Sequence, residues 1–169
     1  MKSIAILLLL ILFSVHVAGQ DTTNINKVQQ IDIADSLEIL NKMALQCNFT
    51  EDYANALKIG KRLEKLTLAE YGKYSQQYVI VLGNLAYYHG WLGHVDTAIE
   101  YFKICADIKR KLYGEAHIEY ASTIGCLSFY LTEAERYTEA IPLIHRALEI
   151  FQDNHIQKGN DYFQTMLAA

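Results

Sequence analysis

Histidine, cysteine and carboxylate side chains are the groups here that could carry acid–base, nucleophilic or metal chemistry, and their spacing builds none of the familiar sites. His89, His94, His117, His145 and His155 are scattered along the chain. His89 and His94 stand five residues apart, a separation that does not place two rings on one helix face. No HExxH helix, GxSxG turn or phosphate-cradling glycine loop occurs. Cys47, Cys105 and Cys126 show no CxxC spacing, and an odd count leaves at least one thiol unpaired within the chain. Buried thiols acting as small apolar side chains are the expectation, with one disulfide among them as the alternative. Acidic residues fall mostly on the polar faces of helical patterns. The expectation is therefore no catalytic residue, no metal site and no cofactor: a chain that binds, not an enzyme.

Composition narrows the class of binder. Of 169 residues, 51% are apolar and 20% charged, too apolar for a chain disordered throughout. A net charge of −4 argues against nucleic acid, which calls for a basic surface to displace counterions. Nine glycines and one proline supply too few turns for a many-stranded sandwich, so an all-α fold is expected. The first residues read differently. After Met1-Lys2, residues 4–13 are unbroken apolar, half of what a bilayer span requires, and Ser14 and His16 follow. Val17 and Gly19 suit the −3 and −1 positions of a signal peptidase site, so residues 1–19 are expected to be a signal peptide. That implies export to the periplasm or outside the cell, an uncleaved membrane anchor being the alternative. Losing Lys2 leaves 14 basic and 19 acidic residues, a net of −5. Residues 20–34 are polar and read as a flexible spacer. Asn48-Phe49-Thr50 is an N-glycosylation sequon at an expected turn.

The remainder is periodic. Shifting the chain by 42 residues aligns 71–112 with 113–154, with Tyr71/Tyr113, Gly72/Gly114, Tyr78/Tyr120, Gly83/Gly125, Leu85/Leu127, Tyr88/Tyr130, Ala98/Ala140, Ile99/Ile141 and Ile108/Ile150 identical. The register runs back to Ala44, Ala56 and Leu66 and forward to Tyr162. Three units, about 36–70, 71–112 and 113–154, and part of a fourth, 155–169, result. Each unit carries two helical patterns. Tyr78, Val81, Leu82, Leu85, Tyr88 and Leu92 define one stripe, and Ala98, Tyr101, Phe102, Cys105 and Ile108 the next. Asp96 and Thr138 are expected N-caps of the second helices, and Pro142 falls near the limit that a helix start tolerates.

Asn84-Leu85-Ala86, Gly93, Ala98, Phe102 and Cys105 resemble the tetratricopeptide repeat, and the 42-residue period with Tyr113-Gly114-Glu115-Ala116-His117 resembles its kinesin-light-chain type. Ile118 and Glu119 stand where that type commonly has proline and aspartate. The resemblance covers 36–169 and implies an all-α solenoid of helix pairs, about three repeats plus a terminal helix, with a concave face lined by first helices. It places Glu38, Asn41, Lys42 and Leu45, then Ile80, Asn84, Tyr87 and Trp91, then Ser122, Cys126, Phe129 and Glu133 in the groove. Asn41, Lys42, Asn84, Tyr87, Trp91 and Phe129 are the candidate partner-binding residues. Asn84 matches an asparagine that contacts peptide backbone in such repeats, and the aromatics are natural anchors; packing between neighbouring helices is their alternative use. His117 sits where the resembling family also has histidine, so its role is expected to be structural. The implied function is an exported adaptor for a protein or peptide. The alternative is a regulatory, sensory or oligomerising repeat segment of a larger signalling or peptidase system, with residues 155–169 as an open end that could pair with a second copy.

Overall fold

The computed structural model describes residues 35–154, and all of its regular structure there is helical. Helix α1 occupies 35–49, followed by α2 (Tyr53–Tyr71), α3 (Gln76–Trp91), α4 (Val95–Tyr113), α5 (Ile118–Glu133) and α6 (Tyr137–Asp153). Contacts divide the chain into Met1–Ile39, whose described part is only the start of α1, and Leu40–Ala169. The expected signal peptide, spacer and fourth unit lie outside the described residues.

In the second of these bodies the helices from α2 to α6 each pack on the next along the chain. Apolar residues at helical spacing bury one stripe: Val79, Leu82, Leu85 and Ala86 on α3, Ala98, Ile99, Phe102, Cys105 and Ile108 on α4, Ile124, Leu127 and Leu131 on α5. The cores are local. Tyr78, Val79, Leu82, Cys105 and Ile108 close the α3–α4 pair, and Ala106, Ala121, Ile124, Ala147 and Ile150 join α4, α5 and α6.

Every pair turns on the same elbow. Gly93 has φ +77°, its N–H donates to the Gly90 carbonyl (2.9 Å), and the His94 N–H donates to the His89 carbonyl (2.9 Å). These are the two bonds of a Schellman motif, which satisfies carbonyls left open at a helix end. The same bonds recur 42 residues away on either side, at Glu51–Asp52 and Glu135–Arg136, where glutamate holds the left-handed position at φ 56° and 58°. The elbow also corrects the expected caps. Helices α4 and α6 start at Val95 and Tyr137, two residues before the expected boundaries, so Asp96 and Thr138 lie inside the first turn. Their cap positions, His94 and Arg136, form no side-chain cap bond, because the elbow already fixes the chain's direction. Pro142 falls within α6, where it withholds one backbone N–H.

The links between pairs use side-chain caps. Ser75 Oγ accepts the Tyr78 N–H ahead of α3, and at the corresponding place His117 Nδ1 accepts the Glu119 N–H (3.1 Å) ahead of α5, its ring stacked on Tyr113. His117 is thus a structural residue.

Two glycines set how closely the helices approach. A side chain at Gly60 of α2 would press on Leu85, and one at Gly90 of α3 would overlap the Tyr130 ring of α5. Tyr130 also stacks on Phe102 of α4 (5.4 Å between centroids), so its ring has no free direction of retreat. Gly90→Ala is therefore expected to destabilise the protein by about 1–3 kcal/mol through overpacking, despite alanine's better helix propensity. Urea denaturation of the two forms measures it, and an unchanged midpoint would show that Tyr130 has room to move.

Candidate partner-binding groove

Below the contact of Gly90 with Tyr130, α3 and α5 leave a cleft of about 270 Å³ between them. Helix α3 contributes Val79, Gly83, Asn84 and Tyr87. The opposite wall is Ser122, Thr123 and Cys126 of α5, and α4 supplies the floor with Phe102, Cys105 and Lys109. Gly83 matters most to its size: a Cβ there would meet nothing within 4 Å, so the cleft owes part of its volume to a missing side chain.

The floor is chemically quiet. Burial pushes the Cys105 thiol up to about 12, and its Sγ–H points to the Val79 carbonyl (3.7 Å). Burial also raises the Cys126 thiol. Both stay protonated near neutrality and are poor nucleophiles and poor metal ligands. All three cysteines are free thiols, so the alternative of an internal disulfide is not realised. Charge at the cleft is balanced. Lys109, mostly buried, donates to Glu119 at 2.7 Å, and that hydrogen bond and charge hold the Glu119 carboxyl below its ordinary value.

The sequence-derived candidates divide by position. Asn84 and Tyr87 line the cleft together with Ser122 and Cys126. Trp91 is one turn beyond it and 59% exposed, and Tyr87 is 43% exposed. Neither ring stands alone. Tyr53, the first residue of α2, stacks flat on Trp91 (5.4 Å, 12°) and meets Tyr87 edge-on (6.0 Å), while Tyr87 and Trp91 are 5.9 Å apart. The packing and binding readings thus coincide: these rings brace one another and still present a face. Phe129 is half-buried, edge-on to Tyr130 and packed against the core of α4 and α5. Asn41 and Lys42 are exposed on α1 and do not line the cleft. Further along α1, Leu45 and Phe49 are exposed, Phe49 at 91%. They occupy the positions 42 residues before Tyr87 and Trp91, extending the apolar strip on the first helices.

Tyr53 was missed because it belongs to a second helix. Its only signal was the equivalence with Tyr137, which puts an aromatic just after the elbow. The sequon falls at the α1–α2 elbow as expected: Asn48 lies in the last turn of α1 with its Oδ1 buried, and the Thr50 hydroxyl donates to the Gln46 and Cys47 carbonyls.

Stacked helix pairs joined by a left-handed elbow, with the groove on the first helices, define a tetratricopeptide-type solenoid. Residues 79–153 match the Tetratricopeptide repeat family model. The structure resembles BtubC (BKLC) from P. vanneervenii, with TM-score 0.65 and 20% identity over 69% of this chain and 46% of that one. It also resembles the nearly identical TPR-like repeats assigned to a Podosopora anserina kinesin light chain, with TM-score 0.63 and 14% identity over 70% and 56% of the two chains. A single-site variant of the latter gives the same values. At these identities the likeness is one of fold, and this chain spans about half the length of those proteins. A comparison with curated proteins finds no match. No described helix is long and apolar enough to cross a membrane.

The Lys109–Glu119 pair gives the groove a pH signature. A carboxyl whose pKa is depressed on folding contributes stability above its unfolded value near 4.5 and loses it as pH falls through the folded value. With Glu119 half exposed, the contribution is about 0.2–1 kcal/mol. Glu119→Gln is therefore expected to be less stable than the parent at pH 7, with the difference shrinking as pH falls below 4.5, as read by urea denaturation across that range.

Proposed function

We propose that the protein is an exported adaptor that holds an extended peptide or a short helix of a partner protein in the α3–α5 cleft. The observation that carries this reading is the cleft itself: a floor of Phe102, the protonated Cys105 and the paired Lys109, Asn84 on one wall and the braced Tyr87–Trp91 pair at its lip. Asn84 can pair with a ligand's backbone amide through both its oxygen and its nitrogen. Tyr87 and Trp91 offer a large apolar face whose rotamers Tyr53 already restricts, which lowers the entropy lost on binding. Protein interaction is the general use of tetratricopeptide repeats, and the balanced charge of the cleft, whose one lysine is paired with Glu119, favours an uncharged ligand segment.

Gly83→Leu tests the cleft with an unusual separation of effects. The new side chain enters open space within a helix interior, so stability is expected to rise by about 1 kcal/mol while the cleft fills. Peptides selected from a displayed random library against the parent protein should lose at least about tenfold in affinity for Gly83→Leu and for Trp91→Ala. Circular dichroism should show helicity retained in both. Peptides that bind all three forms equally would overturn the cleft as the site.

Export rests on the n-region, apolar run and small residues of positions 1–19. N-terminal sequencing of the protein recovered from its source should begin at Gln20; a start at Met1 in a membrane fraction would replace export by anchoring.

A further inference from the structure

The elbow between α3 and α4 brings together two residues that sequence spacing alone keeps apart. His89 and His94 are the ends of the long Schellman bond, so the backbone fixes their Cα atoms close together however the side chains rotate. A hydrophobic contact frequently spans these two positions; the other elbows have Cys47 with Asp52 and Leu131 with Arg136. Here both are imidazoles, and their Nδ1 atoms face each other at 3.4 Å.

From this geometry we infer that His89 and His94 form a binding site for a divalent transition-metal ion of the zinc class, held between the two Nδ1 atoms. Zinc takes imidazole nitrogens at about 2.0–2.1 Å in tetrahedral geometry, which sets two such nitrogens about 3.3–3.4 Å apart. The observed separation matches that spacing, and the proton that one Nδ1 shares with the other in the metal-free pair shifts to that ring's Nε2 when an ion binds. The rings are also held in place. His89 is stacked on Tyr101 (5.6 Å, 16°), and its Nε2 is buried, which leaves Nδ1 as the nitrogen that an ion from solvent can reach. His94 is exposed and completes the approach from outside.

The charged groups around His89 decide what an incoming ion meets. The groups facing it from the packed elements are Lys61 and Glu64 of α2 and Tyr101 of α4. Lys61 is engaged with Glu64 (3.3 Å) and the Tyr101 hydroxyl, which offsets its charge toward an incoming cation. No group of three or more His, Cys, Asp or Glu side chains converges among the described residues, so water fills the other two coordination positions. With two protein ligands the site differs from the closed four-ligand sphere of a structural zinc and exchanges its ion readily.

Calorimetric titration of the full chain with zinc chloride tests the site. One ion per chain is expected, with an accompanying rise in melting temperature. His94→Ala, whose ring is exposed and whose loss leaves the core intact, should weaken binding by about tenfold or more, as should His89→Ala. His117→Ala should leave it unchanged. Nitrogen-15 spectra of the histidine rings should show zinc at Nδ1 of both residues. No binding at millimolar zinc, or binding that survives His94→Ala undiminished, would overturn the proposal.

Discussion

The structure depends on a residue in left-handed backbone conformation at every elbow. Positions 51, 93 and 135 each turn the chain by the same pair of hydrogen bonds, and each places a second helix antiparallel to the first. Only the middle one is glycine. A glutamate in that conformation costs about 1–2 kcal/mol in an isolated chain. The flanking helices hold it there because this turn lets their apolar stripes be buried together. The elbow's direction, not a capping side chain, starts α4 and α6, which is why their boundaries fall two residues earlier than the polar residues Asp96 and Thr138 suggest.

Most of the fold was legible in the sequence because a repeat states its pattern more than once. Tyr88 and Tyr130, or Leu85 and Leu127, are ambiguous singly but define a face when they recur at 42 residues. The groove was legible only in part. Asn84, Tyr87, Ser122 and Cys126 were placed on a shared face by the resemblance to the repeat family, and that face is where the cleft lies. Phe129 shares the register of Tyr87 yet turns toward the core, because Tyr130 beside it packs on Phe102 and draws the ring inward. Register gives the face of a helix, whereas the rotamer depends on neighbours from other helices.

The pairing of His89 with His94 shows the converse limit. Periodicity arguments treat each helix as continuous, and a five-residue separation then points the rings apart. The helix ends at Trp91, and the left-handed step at Gly93 brings the chain back across its own last turn. Chemistry at elbows is invisible to helical spacing, since two residues on different elements share a backbone hydrogen bond. Tyr53 stacked on Trp91 is another such case, reached across a helix boundary and not along a face.

Gly83 has a further consequence. Its position in the cleft wall is sterically open, and it sits on a helix whose buried stripe does not include it. The depth of the recess can therefore change by single-residue replacement while the scaffold stays as it is. Ligand preference and fold are written on different residues, so related chains can diverge in what they hold without having to re-evolve how they fold.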